Sequence, residues 1–269
     1  MTRPVIVEGV GLHTGAWARV ELLASKGPVR LRANGVEAGL EKLVVASTAR
    51  ATTVQGRGGL LRVRTVEHML AALAGLGVHE GVTIAIAGSE MPLLDGGAAA
   101  WCDAVKRLGL IGGKSKLRVA RKATTQVGLS RYEWSPAKAI EVEVRLELDD
   151  ARIAPHARWS GDPEDFHVRI APARTFAFAH EVDELFRRGL ARHVNPESVV
   201  LIAPEAIYHA GRPFSPDEPA RHKLLDLLGD IYLCGGPPLG RLRVIRPGHA
   251  ANARAFAQAR SEAVLVTVQ

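Results

Sequence analysis

Two cysteines in 269 residues, Cys102 and Cys234, are too few and too far apart for a disulfide framework or a paired-cysteine metal knuckle. Each is expected to be a reduced, partly buried thiol. Aromatic residues make up only 5% of the chain, which leaves little to stack on nucleic-acid bases. No stretch approaches the run of about 18 uncharged apolar residues that a membrane-spanning helix needs. The opening MTRPVIVEGVGLHTG has no basic segment followed by an apolar one, so no secretory leader is expected and the expected location is cytoplasmic.

What is present points to a globular protein. Hydrophobic residues at 47% and charged ones at 23% suffice for one large core or two ordinary ones. The net charge of +7 suits a polyanionic partner: nucleic acid, an anionic membrane face or a phosphorylated small substrate. The basic residues come in small groups, such as Arg62 with Arg64 and Arg241 to Arg246, and never in a long block. Charge alone does not choose among these partners.

Strict alternation marks Ile140 to Leu148 as a strand, with shorter versions at Val82 to Ile86 and Arg241 to Ile245. Helical spacing from Thr65 to Gly77 aligns Val66, Met69, Leu70, Leu73 and Leu76 on one stripe, with Thr65 as N-cap and Gly75 and Gly77 as stops. Glu181 to Arg188 reads as a short helix closed by Gly189. A third helix starts near Asp217, carries Pro219 in its first turn and stops at Gly235-Gly236. The Gly-rich stretch 111–115 reads as a linker between residues 1–113 and 117–269. Strands and helices come in runs, so the expected class is α+β in two domains. No sequence repeat is evident.

The polar residues within these helices carry the functional signal. His222 and Asp226 are four apart, hence on one helix face, and can share a metal ion; Asp230 continues the column. An ordinary hydrogen-bonded surface pair has the same spacing. Glu67 and His68 stand at the entry of an apolar helix, where burial without partners is costly. His68 as a third ligand beside Glu67 as a base is one explanation, and capping at an exposed helix start is the other. His249 follows Gly248 in a loop between a strand and an alanine-rich helix, as an active-site or merely exposed histidine would. His13, among glycines at 9, 11 and 15, matches neither a dinucleotide fingerprint nor a phosphate-binding loop. Two histidines and a carboxylate suit zinc with an open position, or the facial triad of an iron oxygenase. The spacing on a helix favours hydrolysis.

Six segments in order resemble UDP-3-O-acyl-N-acetylglucosamine deacetylase, the zinc amidohydrolase family of lipid A biosynthesis in Gram-negative bacteria. They are GVGLHTG (9–15), TVEHMLAALAGLGV (65–78), EMPLLDGGAAAW (90–101), ARTFAF (173–178), RHKLLDLLGD (221–230) and GHAAN (248–252). The resemblance implies His68, His222 and Asp226 as ligands of Zn2+, a set that Fe2+ can also occupy. It implies Glu67 as general base, His249 as the cation that steadies the oxyanion and protonates the leaving amine, and Asp230 as its orienting partner. Thr175 would contact the reacting carbonyl, and Phe176 and Lys223 would line the sugar-nucleotide pocket. The implied fold has two α+β domains whose sheets sandwich the helices. The implied partner is a UDP-linked acylated amino sugar; we expect a monomer with transient membrane-surface contact and no nucleic acid.

The chain departs from that family at His193-Val194-Asn195, where a Gly-Gly-Ser stretch is usual, and around Ser135, where a pocket lysine is often found. These departures bear on specificity more than on chemistry. The alternatives are a non-catalytic homologue that binds a sugar nucleotide, a deacetylase of a different acylated amino sugar, and an iron-dependent oxygenase.

Overall fold

The computed structural model describes residues 3–110, 112–113, 115–187 and 193–268. The chain opens with strands β1 (Val5–Val10), β2 (Trp17–Pro28), β3 (Arg30–Ala33) and β4 (Val36–Gly39). Three short strands, β5 (Val44–Ser47), β6 (Thr53–Gln55) and β7 (Arg62–Val63), pair antiparallel in a small sheet of their own. Helix α1 (Glu67–Gly75), strand β8 (Glu80–Ala87) and helix α2 (Ala99–Lys106) follow. Strand β8 inserts between β2 and β3, giving the order β1-β2-β8-β3-β4 with only β3 and β8 parallel.

The second part carries β9 (Leu117–Val119), β10 (Ala123–Val127), β11 (Ser130–Ser135), β12 (Ile140–Arg145) and β13 (His156–Trp159). A helical turn, α3 (Pro163–Asp165), runs into a π-helical turn at Phe166–Ile170. Then come β14 (Thr175–Phe178), α4 (Ala179–Arg187), β15 (Val199–Ile202), β16 (Ile207–Tyr208) and α5 (Glu218–Tyr232). Strand β17 (Gly240–Ile245), helix α6 (His249–Ser261) and strand β18 (Leu265–Thr267) complete the order. The second five-stranded sheet, β10-β11-β17-β12-β13, has the same plan as the first: a hairpin, a late strand inserted beside it, one parallel pair and a closing hairpin. The chain is thus duplicated in architecture without a legible sequence repeat. We propose residues 1–113 and 117–269 as its two units, each holding one such sheet.

Alternation explains the sheets. In β12, Val142 and Val144 point into the core while Glu141 and Glu143 face out, opposite Arg241 and Arg243 of β17 in parallel register. Arg241 Nε donates to Glu141 Oε2 at 2.7 Å, so the outer face is laced by opposite charges. The alternation read to Leu148 outruns the strand, which ends at Arg145. Leu146 is still buried, but its N–H turns to the carbonyl of Pro155. The helix read from Glu181 begins at Ala179, and its expected stop, Gly189, lies outside the described residues.

Helices α1 and α5 lie between the two sheets. Every residue of α1 is buried, so it has no solvent face, and its Met69 and Leu70 meet Leu31 and Ile84 of the first sheet. Helix α5 packs on α1 and against β12 and β13 of the second sheet. The approach of α1 to α5 is close because Gly229 presents no side chain where a Cβ would overlap the Glu67 carbonyl. Each buried Leu or Met here contributes roughly 1.5–3 kcal/mol. Against this stands the cost of burying Glu67 and His68 at the first turn, which partners must offset.

Thr65 does not cap α1. It takes a positive φ of 58°, Val66 is the N-cap, and the Thr65 hydroxyl donates to Glu90 Oε1 at 2.8 Å. Glu90, almost wholly buried, also accepts from the backbone N–H groups of His13 and Thr14. A buried carboxylate with several donors outcompetes a helix end for the hydroxyl.

Candidate active site

Three helix segments bring the ionisable residues together. Glu67 and His68 open α1, His249 opens α6, and His222, Asp226 and Asp230 stand on successive turns of α5. Pro219 in the first turn of α5 starts the helix without forfeiting a needed hydrogen bond. The 3.6-residue repeat then puts the three α5 side chains in one column. Neither Glu67 nor His68 is an exposed cap; both are buried, as are His222, Asp226 and Asp230.

His68, His222 and Asp226 each offer one ligand atom within 4.8 Å of the others, a set that could hold a metal ion. His68 Nε2 and His222 Nε2 stand 3.7 and 3.5 Å from Asp226 Oδ1. That oxygen is buried and has no hydrogen-bond partner among the described residues, an orphan that a cation would satisfy. His222 Nδ1 donates to the Ala173 carbonyl at 3.0 Å, which turns the lone pair of Nε2 toward Asp226. Burial holds His68 neutral, with its pKa lowered to about 3, and lowers His222 as well. Burial alone would raise Asp226; Lys223, whose Nζ donates to its Oδ2 at 2.7 Å, leads the cations that outweigh burial and keep it ionised. Two neutral imidazoles and a carboxylate are the protonation states a divalent metal requires.

The second cluster adjoins the first. Burial raises Glu67 to about 7, with His249 opposing the shift. Burial presses His249 toward neutrality, but Asp230, Asp226 and Glu67 outweigh it and lift it to about 10. His249 Nδ1 donates to Asp230 Oδ2 at 2.9 Å, and its Nε2 faces Glu67 Oε1 at 3.9 Å and Asp226 Oδ2 at 3.8 Å. The site therefore pairs a carboxylate that titrates near neutrality with a histidine held as a cation.

Phe176 sets its ring edge against His222, with centroids 6.2 Å apart, and Lys223 Nζ lies 5.5 Å above the Phe176 ring. Thr175 and Phe176 belong to β14 and line a cavity of about 450 Å³ with Leu12, Val199 and Leu201. Of the departures read from the sequence, Val194 lines this cavity and His193 packs over Gly15. Ser135 is not brought to the site: it lines a separate groove with Glu133, Glu141 and Arg241.

Four contributors escaped the sequence reading. Thr52 donates its N–H to Glu67 Oε2 at 3.0 Å and its hydroxyl to Asp230 Oδ1 at 2.6 Å. Asn252 Nδ2 donates to Asp230 Oδ2 at 2.7 Å, and Tyr132 donates to Asn252 Oδ1 at 2.6 Å. The Ala173 carbonyl orients His222. Asn252 could have been found, since it lies one helical turn beyond His249 within GHAAN. Nothing local in the sequence singles out Thr52.

The chain matches the profile of the LpxC family, described as UDP-3-O-acyl N-acetylglycosamine deacetylase, over residues 1–259. It is 37% identical to the UDP-3-O-acyl-N-acetylglucosamine deacetylase of Thermosynechococcus vestitus, a match covering 94% of this chain and 91% of the relative. The enzymes of the same name from Phenylobacterium zucineum and Myxococcus xanthus are each 34% identical, covering 93% and 91% of this chain and 88% and 81% of theirs. A profile match over nearly the whole length, together with these relatives, shows that the chain belongs to the UDP-3-O-acyl-N-acetylglucosamine deacetylase family of hydrolases.

Proposed function

We propose that this protein is a metal-dependent amidohydrolase, with zinc as its metal, that removes the acetyl group from a UDP-3-O-acyl-N-acetylglucosamine on the way to lipid A. The observation that carries the reading is the buried Asp226 Oδ1, unpartnered among the described residues, between two neutral histidines and beside a carboxylate and a cationic histidine. His68, His222 and Asp226 would hold the ion. A dication bound there supplies charge neutralisation and water activation at neutral pH.

The chain's own groups account for the proton transfers. Glu67, raised toward neutrality by burial, takes the proton of the water that attacks the amide carbon. His249, kept cationic chiefly by Asp230, faces the growing negative charge on the carbonyl oxygen. Loss of a single such donor commonly costs about 3 kcal/mol of transition-state stabilisation. His249 then gives its proton to the departing amine, which cannot leave as an amide anion. Thr175 stands in the wall beside Phe176 and contacts the carbonyl, and Lys223 and Phe176 bound the sugar-nucleotide side.

The apolar cavity beside Phe176 suits the acyl chain, and the basic surplus suits the diphosphate. Among the described residues no helix is long and apolar enough to cross a membrane. In this proposal a cytoplasmic monomer meets the acylated substrate by transient contact with the membrane face, with no role for nucleic acid. The test is Glu67→Gln: metal content should stay at wild-type level while acetate release from the substrate falls by about 1,000-fold or more. Full activity in that variant would overturn the mechanism.

A further inference from the structure

The proposed acid and base stand on different helices, and the approach of Glu67 Oε1 to His249 Nε2, 3.9 Å, has to be held by something that touches both sides. Thr52 is the residue that does so. It lies between β5 and β6, is 2% exposed, and commits each of its polar groups to the site. Its N–H donates to Glu67 Oε2 at 3.0 Å, while Oε1 is the oxygen turned to His249. Its carbonyl accepts the N–H of Val66, the N-cap of α1, at 3.3 Å. Its hydroxyl donates to Asp230 Oδ1 at 2.6 Å, across 178 residues of sequence.

That last bond has a directional consequence. With Oδ1 occupied by Thr52, Asp230 presents Oδ2 to His249 Nδ1 and to Asn252 Nδ2. The Thr52 oxygen itself lies 3.3 Å from His249 Nδ1, so the imidazole is bracketed by the carboxylate and the hydroxyl. One residue therefore bonds the carboxylate of the base and the carboxylate that orients the ring of the acid. A hydroxyl buried between ionisable groups is more demanding than a packing residue of the same shape, because its bonds must all be made.

We propose that Thr52 is a positioning residue of the deacetylation reaction, which fixes the spacing and orientation of Glu67 and His249 through bonds to Glu67 and Asp230. This rests on the reading of Glu67 and His249 as base and acid. Among the described residues none of the Thr52 hydrogen bonds goes to a proposed metal ligand, and Thr52 takes no proton in the reaction.

The test is steady-state kinetics of acetate release from UDP-3-O-acyl-N-acetylglucosamine by Thr52→Val, Thr52→Ala and Thr52→Ser, with metal content and melting temperature measured on each. Valine and alanine keep the N–H bond to Glu67 and delete the hydroxyl; serine keeps both. Misplacement of catalytic groups by a fraction of an ångström predicts a fall in kcat of about 10- to 100-fold with KM within about twofold. Metal content stays at the wild-type level, and serine restores kcat to within about threefold. The proposal is overturned if valine and alanine keep wild-type kcat, if serine is as poor as valine, or if activity falls only in step with lost metal or lost folding. Alanine reads the same bond without the branched isostere should valine fail to fold. Glu67→Gln, assayed in parallel, separates the two levels: an active Glu67→Gln enzyme removes the acid and base reading itself, whereas an inactive one with active Thr52→Val removes only the role of Thr52.

Discussion

Replacing Gly229 by alanine should stall the enzyme from a position that never meets substrate. Gly229 is inside α5, one turn before its end, where helix propensity favours alanine by about 0.8–1.0 kcal/mol. Packing opposes that gain, because the new Cβ would overlap the backbone carbonyl of Glu67 at the crossing with α1. Neither partner in that contact is the flexible end of a side chain, so the helices must separate by about an ångström, and such overpacking costs roughly 1–3 kcal/mol. The net expectation is destabilisation by about 0–2 kcal/mol once the propensity gain is set against it. The kinetic effect should be much larger. Glu67 rides on the displaced carbonyl, and an ångström of misplacement costs about 100-fold in rate. Thermal melts and kcat for Gly229→Ala should therefore disagree in severity: a small shift in melting temperature with a large loss of turnover. Gly75→Ala, at the far end of α1 against the Phe166 ring, is the control. It should lower the melting temperature while leaving kcat within a few-fold. A Gly229→Ala enzyme with wild-type turnover would refute the claim that this helix contact sets the position of Glu67.

Three further expectations follow from the site and the cavity beside it. Activity should require ionised Glu67 and protonated His249, so kcat/KM should rise through an acid limb no higher than about pH 7 and fall through an alkaline limb no higher than about 10, since a bound dication lowers both values. Asp230→Asn removes a carboxylate that raises His249, so the alkaline limb should move to lower pH by about 1–3 units; an unmoved limb would detach His249 from that limb. Ala177→Trp narrows the cavity beside Phe176, and the ratio of kcat/KM for long against short acyl substrates should fall by 10-fold or more, roughly the discrimination of a methylene-sized change in an apolar pocket. An unchanged ratio would place the acyl chain elsewhere.

Local spacing made part of this site legible, and distance in the chain hid the rest. His222, Asp226 and Asp230 could be aligned because a helix repeats every 3.6 residues, and α5 does carry them in one column. Glu67 and His68 stood out as polar residues in apolar company, although the sequence could not say whether they were capped at a surface or buried. Thr52 remained invisible because its value comes from Asp230, a residue 178 positions away, brought near only by the packing of α5 on α1. Thr65 was misread for a related reason: it has the chemistry of a cap, but Glu90 claims its hydroxyl. The helix from Glu67 was expected to show one apolar stripe, yet it is buried on all faces, since sheets and helices enclose it from every side. The strand at Ile140 was read three residues too long because alternation reports burial, and Leu146 stays buried after its ladder bonds end. The α+β class survived these errors because runs of strands and helices are a coarse property of the whole chain.

The most direct test of the central claim is metal content combined with acetate release from UDP-3-O-acyl-N-acetylglucosamine, comparing wild-type protein with His222→Ala. The account predicts about one bound metal ion and steady release for the wild type. For His222→Ala it predicts metal affinity weaker by more than about 100-fold, above the range for losing an outer-shell partner, and no release. Release by metal-free wild-type protein, or undiminished release by His222→Ala, would contradict it.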